Sequence, residues 1–296
     1  MAYPTDHIDV NRGTSGLTLT PEQSNEIIAK TIEQSAVMQL AERITLPGRG
    51  LSIPVITGEP VADFVAETAE KPVSNHTFST KTMTPYKIAV IEMFSNEFRR
   101  DFRRLYDELV RRLPAALSKK FDATVFNGTA PGSGFDVLTN VTAEDIAADP
   151  YGGIVAAYGD IATAGYRPTG IALSPAAEVI LYGEKDGNGY PLFLPSIADG
   201  SIGSILGTRV VKNGNVYAAG SPNVVGFMGD WSQAKYGIVD GINVAISDEA
   251  TINDGNNQIN LWQRNMFAVR AECEVSFICT DEDAFAKLTA TATPSA

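Results

Sequence analysis

The feature that most constrains this chain is a long stretch that alternates like β-structure but cannot bury itself. Residues 51–95 hold two short strand-like runs, LSIPVIT and VADFVAE, around Gly58-Glu59-Pro60. A polar, β-prone run follows, EKPVSNHTFSTKTMTP, and then TPYKIAVIEMFS. In that last run Tyr86, Ile88 and Val90 share one face, and Lys87, Ala89 and Ile91 the other. The pattern reads as a long two-stranded ribbon with too few apolar side chains for a core of its own. An isolated hairpin is marginal in water. Such a ribbon has to lie on something, and a neighbouring subunit is the economical support. The plainer alternative is a pair of edge strands on one large sheet.

The flanking segments have clearer periods. Residues 1–16 carry Gly, Pro, Asn and Asp without periodicity and read as a flexible arm. A helix then opens with Thr20 as cap, Pro21 at its first position and Gln23 at capping-box spacing. Ile28, Ile32, Ser35 and Leu40 continue it to about Ala41. After the ribbon, residues 95–127 predict the strongest helix, with Ser95 as its cap. Phe98, Phe102, Leu105, Leu109, Leu113, Leu117, Phe121 and Val125 fall on one stripe. Pro114 in its interior predicts a kink or break near Val110.

Residues 137–258 alternate helix and strand as a compact α+β unit. Helices are expected over Tyr151–Ala164 and over PAAEVILYG after Ser174-Pro175. TGIALS, NVVGFMGDW and INVAISDEA read as strands, and TRVVKNGNVYAAG as a hairpin around Asn213-Gly214. Residues 259–279 read as one alternating strand, and LTATATPSA as a frayed tail.

Composition excludes several classes of function. Of 296 residues, 44% are hydrophobic and 20% charged, which is enough for a core. Lys and Arg number 23 against 35 Asp and Glu, a net charge of −12, so the chain as a whole is not built to grip nucleic acid or an anionic membrane. Two histidines and two cysteines rule out a His- or Cys-rich metal centre and a disulfide scaffold. Cys273 and Cys279 lie six apart on one predicted strand, about 20 Å from each other, and read as reduced thiols. The polar N-terminus lacks a signal-peptide pattern, and no apolar run approaches a membrane span, so a cytosolic origin is expected.

Catalytic signatures are missing: there is no P-loop, dinucleotide fingerprint, nucleophile elbow or H-E-x-x-H. His7 sits in the arm and His76 in the ribbon, without the neighbours of a catalytic base. Asp281, Glu282 and Asp283 read as the acidic start of a helix, and Lys185–Gly189 as a turn. One patch stands out. Arg99, Arg100, Arg103, Arg104, Arg111, Arg112, Lys119 and Lys120 crowd the long helix, against Asp101, Asp107 and Glu108. Arg99 with Arg103, and Arg100 with Arg104, share helix faces, a repulsive spacing unless something neutralises it. The candidates are a solvated face, intersubunit salt bridges, or a surface facing a polyanion, with protein pairing favoured over DNA.

The order of elements resembles the major capsid proteins of tailed bacteriophages, the fold first described for the Hong Kong 97 phage. The echoes run in sequence: ETAEKPVSNHTF, KIAVIEMFSNEFRRD, KKFDATVFNGT, LSPAAEVILYGEKDGNGYPLF, LGTRVV, GDWSQAKYGI and QRNMFAVRAECEVSFICTDEDAFAKL. Together they cover about Glu22 to Leu288. The resemblance implies an α+β capsid fold with an N-terminal arm and helix over 1–45 and an extended β-ribbon loop over 46–93. It implies a peripheral domain from 94–136, with its spine helix, and 259–288, its closing strand. An axial domain would occupy 137–258 and a tail 289–296.

The resemblance further implies a non-catalytic protein, without cofactor or metal, that assembles with itself into hexamers and pentamers. The product would be an icosahedral shell around double-stranded DNA, contacted without base reading. Separate scaffolding, portal and decoration proteins are implied partners, and a membrane is not. No scaffold-type helical segment precedes the arm, which implies separate scaffolding or a removed prosegment. The virion is the implied location, with assembly in the host cytoplasm. Some relatives join subunits by a Lys–Asn isopeptide bond. Lys71, with Lys81 behind it, is the candidate amine here, Asn260 or Asn265 the acceptor, and Glu272 or Glu274 the base. The alternatives are an encapsulin-like compartment shell and a soluble α+β enzyme.

Overall fold

The computed structural model describes residues 35–58, 60–65, 70–71, 73–75, 77–95, 102–193, 202–239, 242–255, 257–291. Ser35 has extended backbone and opens a short helix, α1 (Ala36–Leu40), by accepting from the Met38 amide. The predicted helix therefore does not run through Ser35, because a serine in that conformation starts a helix rather than continuing one. The remainder of that helix and the arm lie outside the described residues.

After β1 (Glu42–Thr45), strands β2 (Leu51–Gly58) and β3 (Thr77–Met83) pair antiparallel as a two-stranded sheet of their own. The ribbon is real but shorter than expected. Within VADFVAE, residues 61–65 are irregular rather than strand. β4 (Tyr86–Ser95) leaves the ribbon altogether and pairs over ten residues with the closing strand β14 (Met266–Cys279). Its apolar face, Tyr86, Ile88 and Val90, packs against the main core. Ser95 ends this strand opposite Met266, and the start of the helix it was expected to cap lies outside the described residues.

The long helix α2 (Phe102–Asn127) is continuous across Pro114, so the expected break does not occur. At ~1.5 Å per residue it spans nearly 40 Å. In its described half, Leu117, Phe121 and Val125 are buried as the stripe requires.

β14 organises the first sheet. β10 (Ala234–Ile238) and β11 (Asn243–Ser247) lie end to end along one edge, β4 lies along the other, and β1 joins parallel to β10. The predicted single strand over 259–279 is interrupted. β12 (Thr251–Asn253) and β13 (Gln258–Asn260) form a hairpin, and a 3-10 turn at Trp262–Arg264 precedes β14. Asn265, in left-handed conformation at φ 55°, breaks the alternation.

The second sheet has six strands, in the order β5 (Thr142–Asp145), β15 (Phe285–Ala290), β9 (Asn223–Gly229), β6 (Gly170–Leu173), β8 (Thr208–Lys212), β7 (Ser204–Ile205). No hairpin forms at Asn213-Gly214. Asn213 caps a 3-10 turn instead, and β6 separates β8 from β9. The expected tail is also overturned: Leu288, Thr289 and Ala290 are buried strand residues between β5 and β9. Helices α3 (Pro150–Thr163) and α4 (Pro175–Gly183) cover one face through Ile154, Ala157, Ile161, Ala177 and Leu181. The other face, with Ala172, Val211 and Phe227, shares a core with α2 and β14. The C-terminal half of α2 thus joins the two sheets.

Candidate functional site

The ribbon, its root and the faces left open are the candidate sites. The root is built by local necessity. Gly50 has φ +84° and Gly134 φ +79°, and a Cβ on either would fall within 2.7 Å of the Met83 or Thr82 carbonyl oxygen. Only glycine lets these chains cross so closely. Met83 is buried there with Leu46 and Ile278. Lys81 adds an ionic pin: its Nζ lies 3.0 Å from Asp136 Oδ2 and also donates to the Cys279 carbonyl. Asp136 accepts from the Cys279 amide at 3.1 Å, tying ribbon, loop and β14 together.

Beyond the root the ribbon turns apolar side chains outward. Val61, Val73 and Phe78 are well exposed, and Phe64 is 105% exposed. Asp63, Glu70 and Lys71 are exposed beside them. At the far end of the first sheet Trp262 is also exposed, on the turn that carries Arg264.

A second junction holds the arm end to the body. Asp122 of α2 is buried and accepts from Ser35 Oγ at 2.6 Å, the Ala36 amide at 2.9 Å and the Val37 amide at 3.3 Å. Asn213 and Asn215 donate to its other side at 3.4 and 3.2 Å. Burial pushes this carboxyl above its ordinary pKa, against the pull of its hydrogen-bond donors. Sequence reasoning missed it. Its one signal was an acid directly beside Phe121, next to the stripe of an otherwise regular amphipathic helix.

Of the basic cluster, Arg103, Arg104, Arg111, Arg112, Lys119 and Lys120 stand on α2, and Lys119 and Lys120 are exposed. Arg99 and Arg100 lie outside the described residues. Of the cross-link candidates, Lys81, Asn260, Glu272 and Glu274 each have a partner within the chain. Asn260 Oδ1 is occupied by the Gln263 amide at 3.1 Å. Asn265 closes the turn just before β14, and Glu272 stands within that strand. Glu272 lies 3.8 Å from Lys87 Nζ and 3.6 Å from Arg270 Nε, and Glu274 3.4 Å from Lys87 Nζ. Lys81 is paired with Asp136 within its own chain.

Cys273 and Cys279 are free and buried, and burial pushes both thiols up to about 12. Asp281 caps a 3-10 turn rather than an α-helix and accepts from Tyr166 Oη at 2.7 Å. Asp186 closes the Lys185–Gly189 turn by accepting from the Asn188 and Tyr190 amides. Among the described residues no helix is long and apolar enough to cross a membrane.

An outward ribbon, a spine helix bridging two sheets and a buried junction at the end of the arm are the features of a shell-building protein. Residues 15–290 match the phage capsid family, and the chain belongs to it. It is 33% identical over 291 residues to the probable major capsid protein gp17 of Mycobacterium phage L5, covering 92% of this chain and 89% of the relative. The corresponding protein of Mycobacterium phage D29 is 30% identical over 306 residues, with 97% and 96% covered. Among solved structures, a chain of Mycobacterium phage Adephagia superposes with TM-score 0.73 at 24% identity, over 88% of this chain and 91% of that one. One from Microbacterium phage Oxtober96 gives 0.73 at 23%, with 94% and 96% covered.

Proposed function

We infer that this chain is the major capsid protein of a tailed bacteriophage, a structural and non-catalytic protein that builds the icosahedral head shell around double-stranded DNA. The observation that carries the reading is the ribbon. Its distal half exposes Val61, Phe64 and Val73, and apolar side chains gathered there gain stability when a further copy covers them. Avidity across many such contacts then stabilises the shell.

The first sheet with α2 is the peripheral unit and the second sheet the axial unit, so β10 and β11, within the expected axial span of 137–258, count in the former and β15 in the latter. The copies meet as hexamers and pentamers. The basic residues of α2, Arg103 and Arg104 foremost, pair with acids of neighbouring copies. Scaffolding, portal and decoration proteins are separate partners, the DNA is met by charge and confinement without base reading, and assembly takes place in the host cytoplasm. A covalent bond through Lys71 would take its acceptor, Asn260 or Asn265, from another copy. A ladder of multimers on denaturing gels tests it, and monomer alone from intact shells removes it.

The deciding experiment is negative-stain microscopy with sizing of the protein expressed alone. Shells or capsomers are expected. A compact monomer that stays monomeric at high concentration overturns the reading.

A further inference from the structure

An open groove of about 460 Å³ lies between the first sheet and α2. Its floor is apolar, formed by Ile88 of β4, Phe121 of α2 and Phe135. Exposed Lys87, Ala89 and Lys120 edge it. Among the described residues the most exposed aromatic rings are Phe64 at 105% and Trp262 at 72%, ahead of Tyr190 and Phe78 at 70% and 69%. Charge separates the first two. Trp262 shares its turn with Arg264, which would meet lysines. Phe64 follows Asp63, and the sequence from 60 to 70 holds Asp63, Glu67 and Glu70 and no base.

Distance decides whose loop is seated. The groove adjoins the ribbon root, since β4 begins at Tyr86, close after β3 ends at Met83. Phe64 lies beyond the distal end of β2, about 25 Å from the root at ~3.3 Å per residue. In its own chain the Phe64 ring is fully exposed.

We propose that Phe64 of one copy inserts into the Ile88–Phe121–Phe135 groove of another, with Asp63 drawn to Lys120. Among the described residues Lys120 has no acid within ion-pair distance, whereas Lys87 already faces Glu272 and Glu274. The proposal rests on the shell reading and assigns the seat of its ribbon. A buried ring of this size supplies most of such a contact, and the edge charges supply its orientation.

The test uses full-length protein carrying a photo-crosslinking phenylalanine at position 64, mixed with isotope-labelled unsubstituted protein and assembled. Cross-linked peptides containing Tyr86–Ala89 or Phe121–Thr124 of the labelled copy are expected. Cross-links confined to the Trp262 turn, or only within one chain, overturn the proposal. A charge cycle supplies the second arm. Lys120→Glu is expected to raise the concentration needed for assembly about tenfold, and Asp63→Lys in the same chain to restore it. Shells from Lys120→Glu at the ordinary concentration, or no rescue by Asp63→Lys, also overturn it. Failure of the unsubstituted protein to assemble sinks the shell reading instead, so the two failures stay distinct.

Discussion

Ser35 and Asp122 join the end of the arm to the spine of the molecule through one short hydrogen bond, Oγ to Oδ1 at 2.6 Å. The same serine oxygen accepts from the Met38 amide at 3.1 Å and so caps α1. A single carboxylate thereby fixes where the arm leaves the body, between α2 and the turn of Asn213 and Asn215.

Replacing Asp122 by alanine leaves the Ser35 hydroxyl and the Ala36 and Val37 amides without their buried acceptor. We expect a loss of about 3 kcal/mol in urea unfolding of the unassembled subunit. Asp122→Asn keeps one acceptor oxygen and should lose about half as much. Ser35→Ala removes both the cap and the shortest bond, at about 1–2 kcal/mol. Unchanged unfolding midpoints would remove Asp122 as the junction.

The two thiols make the subunit sensitive to alkali, with a definite sign. In the unfolded chain a thiol ionises near 8.5. In the fold, burial pushes Cys273 and Cys279 up to about 12. Below pH 8.5 both states keep their protons and the contribution is complete. Above it only the unfolded state releases them, so stability falls as pH rises toward 12. The slope approaches about 1.4 kcal/mol per pH unit for each thiol. Unfolding measured between pH 8.5 and 9.5, where most tyrosine is still protonated, should show stability falling toward this slope, and Cys273→Ala should remove roughly half of the fall.

Much of this architecture was legible because its signals are local. The α2 stripe, the Ser174-Pro175 helix start and the Tyr86–Val90 alternation each follow from a period that one element imposes on its own residues. What was misread depends on partners far away in sequence. β4 looked like the return arm of a hairpin, and only its ten-residue register with β14 shows otherwise. Leu288, Thr289 and Ala290 looked like a tail because small residues near a chain end carry no period; β5 and β9 bury them. Asn213-Gly214 has a hairpin's chemistry, but β6 occupies the place between the two strands. The open surfaces show the same limit. The shortage of apolar residues in the ribbon was visible, whereas the pairing of Lys81 with Asp136 was not.

Two glycines of α3 should respond in opposite directions to the same change. A Cβ on Gly153 would fall 2.4 Å from the Asp145 carbonyl oxygen, a backbone atom of β5 that cannot move without breaking its pairing with β15. Gly159, later in the same helix, is exposed and has nothing within 4 Å. Gly153→Ala should therefore cost about 2 kcal/mol or more through overpacking. Gly159→Ala should stabilise by about 0.5–1 kcal/mol through the lower entropy of its unfolded chain. Thermal unfolding of both variants checks the pair, and equal shifts of one sign would contradict this packing of α3 on β5.

The ribbon root yields the last expectation. Lys81 and Asp136 are each about one-third exposed, at 34% and 29%, so water screens their attraction and the ion pair alone is worth at most ~1 kcal/mol. Asp136, however, also accepts from the Cys279 amide, so its loss exposes a second unmet group. Asp136→Ala should accordingly destabilise more than Lys81→Met, which keeps the aliphatic stem against the root. Both should act locally: amide hydrogen exchange should quicken at Thr80–Met83 and at Cys279, while the α3 amides keep their protection. Faster exchange spread evenly through both sheets would mean that the pair supports the whole fold rather than the angle at which the ribbon leaves it. Local loosening would instead lower assembly yield at constant subunit stability, because a ribbon without a fixed root pays more ordering entropy when it docks.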